Sequence, residues 1–532
     1  MSTTPIRSET GFEIEREYRP AWPDAHYDEQ LGAPGEFPYT RHVRAEGYRD
    51  RPWQPSLYSG HGEPAQANER FRFLLAEGNG RVSIAFDLPT QLGLDSDAPQ
   101  ARHEVGRVGT AIDSLRDFET LLDGIPLERV PITMNMNALA PVVVAMLAAV
   151  ARQRGIPLDQ LRGTLSNDML NEIACRGLTI WDLPGSLRLQ TDAAAFLIER
   201  MPGFWAFNVR AALLHEIAAS PAQELGIALA ISARYIDLLL ERGIPAAESA
   251  ARMSLFFGTS PRLFEDAAKL RAARRMWARM LRDEYGVSDP RALRLRMTAV
   301  ACNGSHFVRE DPELNLVRSA LGVLACSLGG VQTMVGTAID EAYEIPSERA
   351  QELALRVQQI VSLESDVRAT VDPLGGSWFV ESMTDRIEQE AGAMRRQIAD
   401  WGGIDAALSD ERIQGMMRDR SYAVAQEIER GERPVVGVNV HRSKQPAAQL
   451  KLWEPDDGVG ERRVAALAAL RAERDDALVA DALERLEAVA SDPGASAMDA
   501  IVAAVESYAT VGEISAALSR ALTPAASALG RA

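Results

Sequence analysis

From Val82 onward the chain alternates short runs of strand character with longer stretches of helical period, and this alternation limits the fold more than any other feature. Strands are expected at residues 82–86 (VSIAF), 131–136 (PITMNM), 163–166 (GTLS), 186–190 (SLRLQ) and 205–209 (WAFNV). Three more are expected at residues 253–257 (MSLFF), 293–299 (LRLRMTA) and 331–334 (VQTM). Strands separated by helices pair in parallel, because each crossover helix returns the chain to the same end of the sheet. Eight such units close into an α/β fold of the (β/α)8 barrel type, with the working loops after the strands. An open doubly wound sheet is the alternative.

The strand sequences predict an unusual interior. In PITMNMN the apolar Ile132, Met134 and Met136 alternate with Thr133, Asn135 and Asn137, so one face is small and polar. Barrel strands pack apolar side chains outward on helices, which turns the polar set inward together with Ser83, Thr164 and Ser166. Ordinary barrels fill that space with Val, Ile and Leu. Small polar residues predict instead a hydrated bore that admits a long, partly polar ligand, which makes Ser83, Thr133, Asn135, Thr164 and Ser166 candidate substrate-binding residues. The alternative for each is a hydroxyl or amide bonded to nearby backbone.

Residues 1–60 are rich in Pro, Tyr and Arg with little periodicity and read as an extended arm that contacts another subunit. Residues 61–365 hold the barrel, and residues 366–532 a linker and an Ala/Glu/Arg-rich helical tail from Gly460. The formal charge of −18, from 75 acidic and 57 basic residues, and the lack of a Lys/Arg cluster argue against nucleic acid as a partner. Cys175, Cys302 and Cys326 are too widely spaced for a zinc site or a redox pair, no other metal-ligand spacing is present, and a reducing cytoplasm is expected. The N-terminal stretch has no apolar export core, and APVVVAMLAAVA is too short to cross a bilayer, so no membrane association is expected.

Several stretches carry a resemblance: FPYTR, YRDRPW, SIAFDLPTQLGLDSD, MNMNALAP, GTLSNDMLNE, AQELGIALA, AKLRAARRMWA, DPLGGSWFVE and GVNVHR, in that order over roughly residues 35–445, with ATVGEISAAL in the tail. They resemble the large, substrate-binding chain of the coenzyme B12-dependent acyl-CoA mutases, the methylmalonyl-CoA mutase family. The resemblance implies a (β/α)8 barrel threaded by the CoA pantetheine, with adenosylcobalamin presented by a flavodoxin-like domain. That domain offers cobalt a histidine in an Asp-x-His-x-x-Gly motif, and none of the seven histidines here has that setting. The chain is therefore expected to lack the cobalamin domain and to act with a small cobalamin-binding subunit, as a heterodimer or higher hetero-oligomer, with a homodimer as the alternative.

The implied reaction is a radical carbon-skeleton rearrangement of an acyl-CoA. Methylmalonyl-type members meet the substrate carboxylate with a Tyr and an Arg, which match Tyr58 and Arg176 and favour a dicarboxylic acyl group. Phe86, Asn167 and Glu341 also match and fall on the cofactor side. The family's Tyr-His pair after the fifth strand falls on Ala212 and Leu213, and its seventh-strand His and Gln on Thr298 and Val300. A Gln after the third strand falls on Ser166. Two rival functions follow from these replacements: non-radical acyl-thioester chemistry such as decarboxylation, or a catalytically silent subunit that binds ligand or partner.

His215 and Arg210 are the candidate replacements for the lost pair. SPAQ at Ser220–Gln223 reads as a helix start, Ser as N-cap, Pro in the first turn and Gln closing a capping box. His215 is thereby placed on the loop after strand five, where an imidazole titrating near neutrality serves as acid or base. The alternative is a packing histidine. Asp87, Asp95 and Asp97 read by default as helix and turn caps.

Overall fold

The computed structural model describes residue 29, residues 31–444 and residues 450–523. Two compact units divide these residues. Unit one takes the described residues up to Ser56, with Arg210–Asp237 and Pro245–Trp453; unit two takes Leu57–Val209, Leu238–Ile244 and the described residues from Glu454 on. No helix among the described residues is long and apolar enough to cross a membrane.

In unit one, β1 (Gln54–Ser56), β7 (Met253–Phe257), β8 (Arg296–Ala301) and β9 (Thr333–Gly336) pair in parallel in the order β1-β9-β8-β7. The register sets Gln54 beside Thr333, Thr333 beside Thr298, and Thr298 beside Phe256. Met297, Ala299 and Ala301 alternate with Thr298 and Val300 and are fully buried. The helix Asn315–Leu328 packs on β8 and on the helix Leu263–Tyr285.

The long helix Leu263–Tyr285 buries three arginines that hold unit one together. Arg271 bonds Asp372 and, at 2.5 Å, Glu381. Arg274 donates to Tyr39 O at 2.8 Å and Thr40 O at 2.6 Å, and Arg275 reaches Asp385 and Glu388 at 2.6 Å each. Arg41 adds a 3.2 Å pair with Asp372. The described part of the arm is therefore fixed to its own chain through FPYTR, by guanidinium forks that satisfy several acceptors at once.

In unit two, β2 (Val82–Ala85), β3 (Ile132–Asn135), β4 (Gly163–Leu165) and β5 (Phe204–Trp205) form a parallel sheet in sequence order, and β6 (Phe207–Val209) follows β5 after Ala206. The helix Ala140–Gln153, which holds the apolar run noted above, buries twelve consecutive residues from Ala140 to Ala151. It packs against Leu183–Arg200 and against Met498–Glu506 of the tail. Its greasy circumference is that of an interior helix covered on several sides. The described residues of the tail form four helices, Val459–Glu473, Asp476–Ala490, Met498–Glu506 and Val511–Ala521.

Several sequence expectations are corrected. Residues 186–190 are helical, inside Leu183–Arg200: Asp182 caps the helix through Gly185 N at 2.9 Å, Pro184 lies in the first turn, and Leu187, Ala194 and Leu197 fall on one buried side. The Leu-x-Leu alternation at Leu187 and Leu189 imitates a strand over too few residues to outweigh that period. The missing strand is Gln54–Ser56, inside the stretch read as an arm; with a proline in three residues it has no local signature and exists by pairing with β9. The run at 205–209 is broken at Ala206, and the strands expected at 293–299 and 331–334 are shifted to Arg296–Ala301 and Thr333–Gly336.

The helix Pro221–Glu241 begins where SPAQ indicates: Ser220 N donates to Gln223 Oε1 at 2.9 Å, and Gln223 N to Ser220 Oγ at 3.2 Å. Ser220→Ala removes that acceptor, with an expected cost of about 1 kcal/mol in urea unfolding. No change in the unfolding midpoint would show the cap to be idle.

Candidate active site

Unit two carries a polar sheet face built from small residues. Ser83, Thr133 and Thr164 lie side by side across β2, β3 and β4, continued by Trp205 on β5. One step along, Asn135 Nδ2 donates to Ser83 Oγ at 3.2 Å and Ile84 O at 3.0 Å, while Ser166 Oγ donates to Asn135 Oδ1 at 3.1 Å. Arg81 Nη1 reaches Thr133 Oγ1 at 3.1 Å. Ser83, Asn135 and Ser166 thus bond one another on a buried face of hydroxyls and amides.

The C-terminal ends of these strands lead to Arg176. Asp168, buried, caps the short helix Met169–Cys175 through Asn171 N at 3.2 Å, and Asp168 N bonds Asn137 Oδ1 at 3.1 Å. Glu172 of that helix is buried, bonds Asn137, and holds Arg176 Nη1 at 3.4 Å. Arg176 Nη2 meets Gln91 Oε1 at 3.3 Å, and Gln91 in turn donates to Phe86 O at 2.6 Å. The guanidinium is oriented from behind by Glu172 and beside by Gln91, with its side chain 35% exposed. Tyr58, in the same unit, is 45% exposed. Neither Glu172 nor Gln91 stands out in the sequence; the i,i+4 spacing of Glu172 to Arg176 is the one local signal.

Phe86 is wholly buried and stacks on Phe118 with ring centroids 6.4 Å apart. Asn167 is also fully buried and donates to Gln190 O at 3.0 Å. Asp87 accepts from Thr90 N at 3.0 Å and Gly106 N at 2.7 Å, a capping role, and burial pushes its carboxyl up to about 7. Asp95 accepts from Thr510 Oγ1 at 2.7 Å and Gly512 N at 2.6 Å, and Arg471 reaches both Asp95 and Asp97.

Unit one gathers its polar groups at the C-terminal ends of β7, β8 and β9. His215 lies in a helical turn, Ala212–Glu216, rather than on a loop, and its ring sits on Gly258, where an added Cβ would stand 2.5 Å from Cγ. Gly258 follows Ser254 and Phe256 at the spacing of one strand face, so no side chain is tolerated at this crossing. Beneath it, Glu224 Oε1 accepts from Gly258 N at 2.8 Å, and Lys269 Nζ donates to Gly258 O and Glu224 Oε2 at 2.6 Å each. Asp266 completes the cluster 3.2 Å from Lys269. The two carboxylates outweigh the cost of burial and hold the Lys269 ammonium above its ordinary range.

Burial, reinforced by Lys269, drives the His215 pKa well below its usual value. The expectation of an imidazole titrating near neutrality is thereby corrected: in a fully enclosed site the charged form loses its hydration, so the ring stays neutral. The ring of His306, in the turn Gly304–His306 after β8, lies 5.3 Å from it, and burial lowers His306 to about 4. The one sequence signal for His306 is a GSH run shortly after a strand. Arg210 precedes the turn, its carbonyl accepting from Leu213 N at 3.0 Å. Ala212 and Leu213 are buried.

Glu341, after β9, lies against Gly304 and is exposed; crowding by the surrounding protein raises its carboxyl to about 7, with Glu216 and Asp340 adding like charge. Among the described residues no three His, Cys, Asp or Glu side chains are gathered as a metal site.

Parallel strands alternating with helices, with small polar side chains on one sheet face, define an α/β fold of the (β/α)8 barrel class. The chain belongs to the methylmalonyl-CoA mutase family, whose model matches residues 7–524. It is 33% identical over 488 residues to the 2-hydroxyisobutanoyl-CoA mutase large subunit of Aquincola tertiaricarbonis, covering 91% of this chain and 86% of that one. It is 35% identical over 485 residues to the methylmalonyl-CoA mutase of Escherichia coli K12, covering 91% and 68%. Against the Cereibacter sphaeroides enzyme of the same name the identity is 34% over 490 residues, covering 92% and 68%. The family is one of isomerases that use adenosylcobalamin and act on CoA thioesters.

Proposed function

We propose that this chain is the substrate-binding large subunit of an adenosylcobalamin-dependent mutase that rearranges the carbon skeleton of a branched or dicarboxylic acyl-CoA. A separate small subunit carries the cobalamin. In support of the partner, the relative named as a large subunit is matched over 86% of its length. In addition, no histidine of this chain lies in an Asp-x-His-x-x-Gly setting.

The observation that carries the acyl choice is Arg176, a partly exposed guanidinium aimed by Glu172 and Gln91. A planar fork held this way matches a carboxylate with two parallel hydrogen bonds. The hydroxyls and amides along the polar face of unit two suit the peptide-like arm of CoA, and Thr298 offers a further hydroxyl in unit one. Toward the cofactor, Glu341 fits as an exposed, weakly acidic carboxyl able to accept from sugar hydroxyls, whereas Phe86 and Asn167 act from behind the surface. When bound, adenosylcobalamin would supply the radical chemistry of the rearrangement. The residues of this chain bind the thioester, orient its acyl group and exclude water.

The test is reconstitution with a small cobalamin-binding subunit and adenosylcobalamin, followed by mass spectrometry of products from a methylmalonyl-type and a monocarboxylic branched acyl-CoA. Rearranged product from neither rejects the reading. Arg176→Met is expected to raise KM for the dicarboxylic substrate about 10- to 100-fold, the loss of one charge-assisted contact, and to leave the monocarboxylic KM in place. Equal effects on both would remove the carboxylate role.

A second reading rests on Ala212 and Leu213, buried aliphatic residues where the family places a Tyr-His pair. It makes the chain a non-radical thioester enzyme or a silent partner subunit. Product formed without cobalamin, or no product beside a measurable effect on an active paralogue, would favour it.

A further inference from the structure

One bulky side chain interrupts the small polar face of unit two. The register sets Ser83, Thr133, Thr164 and Trp205 in one row across β2, β3, β4 and β5. Registered neighbours in a parallel sheet point to the same side, so the Trp205 indole stands on the face that carries the hydroxyls. A contact on the opposite face fixes this orientation. There the row Val82, Ile132, Gly163 and Phe204 is apolar and buried. The Phe204 ring lies over Gly163, where an added Cβ would stand 2.6 Å from Cζ and 2.7 Å from Cε1. Turning β5 over would pull Phe204 off that glycine and bury the indole against the helices instead.

The members of the polar row differ in accessibility. Ser83, Thr133 and Thr164 are buried, whereas Trp205 is half-buried. An indole that serves only as filler is enclosed on all sides, as Trp181 and Trp277 are at 1% and 0% exposure. A large apolar group left open among hydroxyls is the pattern of a ligand-contact wall.

Position along the strands selects what lies against it. Gln91, which orients Arg176, bonds Phe86 O, three residues beyond Ser83. Three residues of strand span about 10 Å, so the row of Trp205 lies well short of the level at which Arg176 is held. A short dicarboxylic acyl group on Arg176 does not cover that length. The arm beyond the sulfur, methylenes and uncharged amides, is thereby brought beside the indole. The indole face meets such a chain without needing charge, and the neighbouring hydroxyls bond its amides.

We propose that Trp205 is a specificity-determining residue, the apolar contact by which this chain recognises the uncharged amide-and-methylene arm of its acyl thioester. This rests on the acyl-CoA reading above.

The experiment is titration of the full chain with a dicarboxylic acyl-CoA and with the same acyl group on pantetheine, followed by calorimetry and tryptophan fluorescence. The chain has eight tryptophans, and the difference between wild type and Trp205→Phe isolates the signal of Trp205. Either ligand is expected to change that signal. Trp205→Ala is expected to weaken both thioesters by the same factor, about tenfold, because the arm is what they share, and Trp205→Phe to keep most of the affinity. Should the Ala variant fail to fold, the difference signal decides. A Trp205 signal unmoved by ligand, or wild-type affinity in Trp205→Ala, overturns the contact. Tighter binding by Trp205→Ala overturns it too, by marking the indole as an obstruction, and so does a loss confined to the acyl-CoA, which would put the indole against the nucleotide. Failure of the wild-type chain to bind either thioester overturns the acyl-CoA reading itself, and the Trp205 contact with it.

Discussion

Replacing Lys269 with methionine is expected to lower the stability of unit one by about 3–5 kcal/mol, because two buried carboxylates lose their only close cation within the cluster. Lys269 is fully buried, with Glu224 at 2.6 Å and Asp266 at 3.2 Å. A loss of that size is a large part of the 5–15 kcal/mol that typically separates folded from unfolded chains. The sign of the pH dependence is also fixed. Burial already raises the Glu224 carboxyl to about 7 against the pull of Lys269, and without that cation it rises further, so in the variant the folded state binds more protons and stability falls as pH rises above the unfolded carboxylate range. The deficit against wild type is smallest near pH 4 and largest at pH 8. In the wild type the raised Lys269 pKa acts oppositely to a depressed one: its contribution is complete below the unfolded lysine value and is lost only as pH climbs through the folded value. Urea unfolding at pH 4, 6 and 8 decides the matter, and a variant with wild-type midpoints at all three would show the cluster to be energetically neutral.

The second large effect is expected at Arg463, which anchors the C-terminal tail within unit two. Its guanidinium, nearly buried, meets Asp113 at 2.8 Å and Asp117 at 2.6 Å. Asp117 also closes the capping box of the helix Leu115–Leu121, and Asp113 accepts from Ser96 N and Oγ. Arg463→Met strands both carboxylates, at an expected cost again of about 3–5 kcal/mol. The helix Val459–Glu473 should lose amide protection in hydrogen exchange before the sheet does, since its other ion pairs, Arg471 to Asp95 and Asp97, Arg462 to Glu63 and Glu473 to Arg116, lie nearer the surface. Burial already holds the Asp117 carboxyl above its ordinary value against the pull of Arg463, and without that pull it rises further. The variant therefore recovers as pH falls toward 4. Uniform exchange across the tail and the sheet would refute the anchor.

These two sites show how the same local motif can be read and still be incomplete. GLDSD gives turn and cap signals, and Asp95 does accept from backbone at Gly512. Its fuller role, receiving Thr510 and Arg471 from more than 370 residues away, leaves no trace in five residues of sequence. The candidate site divides in the same way. Arg176 is legible through the resemblance and through its i,i+4 glutamate, whereas Gln91, which orients the same guanidinium, comes from another segment. His215 is legible as an isolated histidine, but its neutral state is set by enclosure and its neighbour His306 arrives from the loop after β8.

What the sequence determines by itself is whatever depends on neighbours within about one turn or one pleat. This covers the start of the helix at Pro221, the polar-apolar alternation through Thr133 and Asn135, and the family, which many short stretches carry together. Only the tertiary structure decides that Gln54–Ser56 is a strand, that residues 186–190 are helix, and that His215 rests on Gly258 beside His306. The physical reason is the range of the interactions. Caps and periodicity act between residues a few positions apart, while strand pairing, charge burial and the loss of hydration depend on groups brought together from distant parts of the chain.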